Sequence, residues 1–454
     1  MADISRPNIL FFLPDQHRAD WTECVSDLPL RTPNLNRLAS RGMNFTNAFT
    51  PSPLCAPARA CLASGRQYER CGVQGNHQNY PLELPTYYQA LRHAGYQVFG
   101  VGKFDLHKPT FDWGEDGSHL LEEWGFTDGI DNEGKLDGSN NYRRNPGATG
   151  PYLHFLHERG KADVYESEHR QREKCRDAYV TALDDDEYCD NWVAENGLRL
   201  VSNARTDRPW HLVINFTGPH NPMDVTASMH ERWKNASFPA PHNNDDPRFT
   251  DEDHQRNRRH YAAMIENIDR HVGRFLDLVE ARGELENTLI VYASDHGEML
   301  GDHGKWGKST WRQASVAVPL IAAGPGVRQN VRSSALVSLH DLAATFVDYA
   351  KALPPAGMDA TSLRPVLEGR ADAHRRVLTS GLRDWRCAFD GTHKLVVETD
   401  REDRLFDLRA DPREDVDIAA SSPGIVSSLK RALSREGVPG ALLEGARLPA
   451  SGGG

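Results

Sequence analysis

The 454-residue chain contains no Cys-x-x-Cys pair, and its seven cysteines are an odd number. Both facts argue against a disulfide framework and a thiolate zinc site, so most of these cysteines read as buried thiols. No apolar run approaches the length needed to cross a bilayer, and no membrane partner is expected. The N-terminal stretch MADISRPNILFFLPDQ lacks the basic start and the small-residue cleavage site of a secretory signal. Its apolar run reads instead as a buried strand, and the expected location is the cytoplasm. Basic runs and aromatic-interleaved basic stripes are also missing, and the formal net charge is −11. Such a field disfavours nucleic acid but leaves room for a small anion in a locally positive pocket. There is no internal repeat.

What is present is a set of four short apolar runs with chemically potent groups at their ends. NILFFLP ends at Asp15-Gln16, YQVFGVG at Lys103, HLVINFTGP at His220, and NTLIVYAS at Asp295-His296. Each has the length of a strand and no helical periodicity. Between them lie helical segments, one behind Pro85-Thr86 and one from about Asp253 to Arg282. This alternation implies an α/β fold with a large, mostly parallel sheet covered by helices on both faces. Ligands bind such sheets beyond the carboxyl ends of the strands, so the four strand ends point to one site.

At this length a large domain plus a smaller one is the natural expectation. Residues 1–372 read as the catalytic domain, with the polar, Gly- and Asn-rich stretch 112–186 as long substrate-selecting loops. Residues 373–446 read as a small C-terminal α+β subdomain. There RVLTSG, WRCAFDG, HKLVVETD and DRLFDLR form successive antiparallel strands, followed by a helix from about Gly424 to Arg435. Residues 447–454 read as a disordered tail.

Asp15, Asp295 and His296 offer two carboxylates and an imidazole, a donor set suited to a divalent cation. A lone Asp after a strand is more often a cap or turn residue, but the coincidence with Lys103 and His220 favours a site. The stretch SPLCAPARACLASGRQ (52–67) adds Cys55 and Cys61. From its residues alone, Cys55 is open to reading as a buried thiol, a metal ligand, a nucleophile or the precursor of something else.

Cys55-Ala-Pro-Ala-Arg59 matches the C-x-P-x-R signature of the sulfatase family in the alkaline-phosphatase superfamily. Asp15-Gln16, Gly102-Lys103, Gly218-Pro219-His220 and SDHGEMLGDHGKWGKST (294–310) match further blocks in order. The resemblance runs from residue 7 to about 416 and includes the choline-sulfatase-like and phosphonate monoester hydrolase branches. It implies an alkaline-phosphatase-like sandwich and a sulfuric ester hydrolase. It also implies that Cys55 is converted to formylglycine by a formylglycine-generating enzyme that reads Pro57 and Arg59. The hydrated aldehyde would be the nucleophile, and its second hydroxyl would allow sulfate to leave without hydrolysis of a stable ester. Arg59 would hold the diol, and Lys103 and Lys308 would bracket the sulfate oxygens. His220 would be the general acid for the leaving alcohol. Asp15, Asp295, His296 and the converted Cys55 would hold one divalent cation, with Mn²⁺ competing against the Ca²⁺ usual for the family.

Several positions depart from the pattern. Gln16 stands where many sulfatases carry a second Asp, and as a neutral amide it binds either the metal or the substrate. The usual Lys-x-His reads Lys103-Phe104-Asp105, so the base beside Lys103 is either Asp105 or His107, with the preference given to His107. Asn76 is the candidate substrate-side amide, with His77 and Asn79 as alternatives. The expected substrate is a small sulfate monoester, either aryl, alkyl or sugar, and the runner-up activity is hydrolysis of phosphonate monoesters or phosphodiesters. A catalytically dead binding protein on the same scaffold is the third reading, disfavoured by retention of the whole residue set. A homo-oligomer is the expected assembly.

Overall fold

The structure, a computed structural model, describes residues 6–144, 150–171 and 178–443. In chain order its strands begin with β1 (Asn8–Phe12), β2 (Gly42–Phe49), β3 (Gln97–Gly102), β4 (Asp128–Asp131), β5 (Ala178–Val180), β6 (Trp210–Asn215) and β7 (Met223–Val225). They continue with β8 (Thr288–Ala293), β9 (Leu320–Ala323), β10 (Val331–Ser338), β11 (Leu378–Leu382), β12 (Trp385–Phe389), β13 (His393–Glu398) and β14 (Arg404–Asp407). Eight strands form one sheet in the order β10-β2-β9-β8-β1-β6-β3-β4. All neighbours are parallel except β9, which runs antiparallel to β2 and β8.

The unbroken apolar runs follow from burial on both faces. In β1, β6 and β8, residues Ile9, Phe11, Val213, Leu289 and Val291 face one core cluster. Their neighbours Leu10, Phe12, Leu212, Ile214, Ile290 and Tyr292 face the other. Leu10 lies between Leu212 of β6 and Ile290 of β8. Full burial of each such side chain contributes roughly 1.5–3 kcal/mol. The second face is covered by the 31-residue helix Asp251–Ala281, which packs Ile268, Val272, Phe275, Leu276 and Val279 against it. Thr250 and Asp253 close its start as a capping box, with Asp251 and Glu252 in the first turn favoured by the helix dipole.

Strands β11 to β14 form a separate antiparallel sheet in sequence order. One face, including Cys387, Phe389, Val396 and Phe406, joins the first core cluster. The other packs Ala388, Leu395, Val397 and Leu405 on Leu429 and Leu433 of the helix Pro423–Arg435. The stretch 112–186 differs from the loops expected there. Its described residues include the helices Lys135–Arg144, Pro151–Glu158 and Ala162–Gln171. Their polar composition masked a narrow apolar stripe, in which Tyr152, Leu153, Leu156 and Tyr165 are buried. Residues 447–454, read as a tail, lie outside the described residues. No described helix is long and apolar enough to cross a membrane.

Because β8, β1, β6 and β3 are adjacent and parallel, their carboxyl ends share one edge of the sheet. The two antiparallel steps through β9 leave β2 pointing the same way as β8, so its following loop reaches that edge too.

Candidate active site

Cys55 opens the helix Cys55–Ser64, whose ten residues are all buried. Small side chains at Ala56, Ala58, Ala60 and Ala63 allow this close packing. Leu54, the cap residue, offers no side-chain hydrogen bond. The orphaned N–H of Ala56 is instead satisfied by Asn76 Oδ1 at 3.1 Å. Asn76 thus braces the residue after Cys55, while His77 and Asn79 are exposed. The helix ends at Gly65 with φ 63°, where a Cβ would sit 2.5 Å from Met358 Cε.

The Cys55 Sγ lies 3.2 Å from His296 Nε2 and 3.6 Å from Asp15 Oδ1. Asp15, Cys55, Asp295 and His296, all buried, place one donor atom each within 4.8 Å of one another. His296 Nε2 is 3.5 Å from Asp15 Oδ1 and 3.7 Å from Asp295 Oδ2. Its Nδ1 meets the Gly297 carbonyl at 3.0 Å, which leaves the Nε2 lone pair facing the carboxylates when Nδ1 carries the proton. Burial, followed by the Asp15 charge, pushes the Asp295 carboxyl up. Two carboxylates crowded in this way, with an imidazole nitrogen aimed at them, are a donor set that a divalent cation fits.

Arg59 follows Cys55 by one helical turn and so points to the same edge. Its Nε donates to Asp295 Oδ2 at 3.0 Å, and its Nη1 donates to the Lys103 carbonyl at 2.6 Å and to Asn215 Oδ1 at 3.0 Å. Nη2 lies 3.6 Å from Asp15 Oδ2 and is a buried donor without a hydrogen-bond partner. Lys103 is ion-paired to Asp15 and, at 2.8 Å, to Asp105. Burial opposes ionisation of Asp15, but Lys103, His220, Lys308 and Arg59 hold it well below the usual carboxylate range. Burial and Asp15 push the Cys55 thiol up, yet Lys103, Lys308 and His296 outweigh them and bring it down to about 6. A chain of net charge −11 thus gathers Arg59, Lys103 and Lys308 close enough to Cys55 to offset the carboxylates beside them.

Among the positions that depart from the family pattern, Gln16, at φ 72°, donates its backbone N–H to Asp295 Oδ1 at 3.0 Å. Its side-chain oxygen accepts from Lys308 Nζ and its amide nitrogen donates to Glu298. Of the two candidates for the base beside Lys103, Asp105 and the preferred His107, it is Asp105 that lies next to that lysine. His107 Nε2 contacts Asp131 Oδ2 at 2.8 Å and its Nδ1 contacts Thr110 Oγ1 at 3.0 Å, with the ring among Trp113, His119 and Trp124. Asp105 is the group beside Lys103, held there by Lys108 at 3.0 Å. The cause is the left-handed backbone of Asp105, φ 55°, which turns the chain so that His107 falls behind the site. Asp131 Oδ1 also accepts from the Phe104 N–H at 3.1 Å, so the His107–Asp131 pair supports the loop from below. His220 faces the pocket with its ring Nδ1 on the Asn221 carbonyl. Burial and then Lys308 hold its imidazole well below its ordinary value.

Sequence reasoning missed Glu298 and Asn215. Glu298 is buried and its Oε1 accepts from the N–H groups of Leu300 at 2.9 Å and Gly307 at 2.6 Å. It thereby ties Gln16 to the loop carrying Lys308. Its place three residues after Asp295 was the available signal. Asn215, the last residue of β6, anchors Arg59.

A sequence model of the family described as Sulfatase matches residues 7–352. Choline-sulfatase of Rhizobium meliloti (strain 1021) is 30% identical over 93% of this chain and 84% of its own length. Arylsulfatase of Clostridium perfringens (strain 13 / Type A) is 25% identical over 90% of this chain and 89% of its own. Among solved structures, phosphonate monoester hydrolase of Agrobacterium radiobacter superposes with TM-score 0.77 at 22% identity, covering 98% of this chain and 99% of that one. The structure of BT4656 in complex with its substrate D-glucosamine-2-N,6-O-disulfate gives TM-score 0.76 at 21% identity, covering 95% and 97%. These two likenesses bear on the fold.

Proposed function

This chain belongs to the sulfatase family, and from that premise we propose that it hydrolyses a small aryl, alkyl or sugar sulfate monoester with a formylglycine made from Cys55. The observation that carries the reading is the meeting of Cys55 Sγ with His296 Nε2 (3.2 Å) and Asp15 Oδ1 (3.6 Å) at the start of a buried helix. Arg59, Lys103 and Lys308 surround that point. A formylglycine-generating enzyme is the transient partner, acting on Cys55 within C-x-P-x-R. The converted side chain supplies a hydroxyl as nucleophile and a second hydroxyl whose deprotonation releases sulfate. Asp15, Asp295 and His296 would hold one Ca²⁺ or Mn²⁺, which when bound supplies Lewis-acid polarisation of a sulfate oxygen and offsets its charge.

The chain's own residues account for the remaining steps. Arg59 Nη2 is a free donor aimed into the site, available to the oxygen that replaces Cys55 Sγ. Lys103 and Lys308 lower the repulsion between a sulfate and a charged nucleophile. Burial opposes the charge of Asp105, but Lys103 and Lys108 keep it ionised; a substrate anion on Lys103 weakens that pair, so that Lys103 passes a proton to Asp105 as it takes one from the second hydroxyl. His220 gives a proton to the leaving oxygen. Burial and then Lys308 hold its imidazole down, and a substrate anion beside the ring and Lys308 favours the imidazolium and raises the proton affinity. The names of the relatives, choline-sulfatase and arylsulfatase, support a small monoester.

Gln16 favours a second reading, in which loss of a carboxylate at that position suits a phosphonate monoester or phosphodiester. Comparison of p-nitrophenyl sulfate with p-nitrophenyl phenylphosphonate decides between them. The first reading predicts the higher kcat/KM for the sulfate, and a much higher value for the phosphonate ester would overturn it.

A further inference from the structure

Away from the strand ends, His242, His303 and Asp415 come together from three separate segments, with one donor atom of each within 4.8 Å of the others. His242 precedes the helix Asp251–Ala281, His303 lies in the turn that leads to Lys308, and Asp415 follows β14. We propose that these three residues form a second divalent-cation site, selective for a borderline ion such as Zn²⁺, that fastens the segment after β14 to the loop carrying Lys308.

The site is built from the backbone outward. His303 has φ 54° and Asn243 φ 46°, both in the left-handed region, which Asn tolerates and a ring-bearing side chain seldom adopts. Hydrogen bonds hold these turns together: His303 N donates to the His242 carbonyl at 2.7 Å, and His242 N donates to the Asp302 side chain, at Oδ1, at 2.9 Å. Asp302 is itself fixed by ion pairs to Arg18 at 2.7 Å and Arg258 at 3.2 Å. The two imidazole rings stand edge to face with centroids 5.3 Å apart.

Contacts on the outer side of Asp415 and His303 orient their donor atoms. Asn243 Nδ2 donates to Asp415 Oδ1 at 2.6 Å, leaving Oδ2 turned to His242 Nε2 at 2.7 Å. His303 Nε2 meets the Arg413 carbonyl at 3.1 Å, a contact that puts the proton on Nε2 and the lone pair on Nδ1. Ligating histidines use the same device, giving their other N–H to a carbonyl. Metal–ligand bonds of ~2.1 Å at 90–109° would place two donors ~3.0–3.4 Å apart, so His242 and Asp415 need separate by only ~0.3–0.7 Å. With side chains 25% and 35% exposed, they have the room to do so.

Two imidazoles and one carboxylate favour Zn²⁺ over Ca²⁺ or Mg²⁺, which prefer oxygen donors. Both histidines also line a cavity of about 410 Å³, through which an ion can enter and which leaves coordination positions open. Arginines and carboxylates, among them Arg312, Arg413, Asp302 and Glu414, line the same cavity, so those positions suit water.

The test is a Zn²⁺ titration, followed by calorimetry, of the Cys55→Ala protein kept in excess Ca²⁺, so that the buried cluster offers no thiolate. Co²⁺ absorption provides a second readout. The proposal predicts one saturable Zn²⁺ per chain and a Tm raised by Zn²⁺. Both are lost in His242→Ala/His303→Ala on the same background, and Asp415→Asn weakens binding at least about tenfold. Because Asp415 lies at the surface, its variant remains informative should the double variant fail to fold. No saturable uptake by the Cys55→Ala protein, or uptake undiminished in Asp415→Asn and the double variant, would overturn it.

Discussion

Replacing Asp105 by Asn separates two assignments that the sequence leaves side by side. The carboxylate is buried between Lys103 at 2.8 Å and Lys108 at 3.0 Å. Removing one partner of a buried ion pair costs about 3–5 kcal/mol when the other charge is left alone. Here Lys103 keeps Asp15 and Lys108 keeps Asp137, so a loss near the lower end, about 3 kcal/mol, is expected. If Asp105 assists deprotonation beside Lys103, kcat falls by about 10²–10⁴-fold in the folded, converted protein. His107→Asn serves as the comparison. It removes the 2.8 Å contact to Asp131, costing about 1–3 kcal/mol of stability. It leaves Lys103 and Asp105 in place, so kcat falls by less than about tenfold, or 1.4 kcal/mol of barrier. The assay is kcat on p-nitrophenyl sulfate at saturating cation, with Tm from calorimetry and the conversion of Cys55 measured on each sample. The reasoning fails if His107→Asn loses as much kcat as Asp105→Asn at equal conversion.

Asn76→Ala removes the acceptor for the Ala56 N–H at 3.1 Å, and should lower stability by about 1 kcal/mol, as loss of a helix cap does. Denaturant unfolding checks this, and an unchanged midpoint would mean that another group satisfies the helix start. Buried Asp341 accepts from Arg375 Nε at 2.7 Å, the Ser338 N–H at 3.1 Å and the Thr361 N–H at 2.9 Å. Burial opposes its charge, but Arg375 and His340 depress its folded pKa below the unfolded value. Its stabilisation is therefore present above the unfolded pKa of about 4 and lost as pH falls through the folded value. Asp341→Asn should cost about 3–5 kcal/mol at pH 7 and flatten the acid limb of a stability–pH curve; an unchanged slope would contradict the assignment. In unconverted, metal-free protein, thiolate absorbance of Cys55 should titrate near pH 6, against an ordinary value of about 8.5. A midpoint above 8 would refute the positive field around it.

The parallel core was legible because β1, β3, β6 and β8 are buried on both faces and so appear as continuous apolar runs. Their potent end residues then converge by sheet topology alone, which is why Asp15, Lys103, His220, Asp295 and His296 group together on sequence pattern. Where a single backbone torsion decides the outcome, sequence order misleads. The left-handed turn at Asp105 places that residue, and not His107, beside Lys103. Glu298 was hidden for a related reason, since it acts through Gln16 and the turn to Lys308 from a position beyond the strand end. The helices between 135 and 171 were masked by polarity, because they bury a few tyrosines and leucines around charged groups such as Lys135, paired to Asp224 at 2.8 Å. Asn76 was noticed for its spacing, but its partner is a backbone N–H that no side-chain pattern reveals.

The central claim is that Cys55 acts only after it ceases to be cysteine. Mass spectrometry of the peptide spanning residues 52–66, from protein coexpressed with a formylglycine-generating enzyme, tests it directly. The account predicts the mass of an aldehyde in place of the thiol, with activity rising in proportion to the converted fraction and absent in Cys55→Ala. An intact thiol in fully active protein would contradict it.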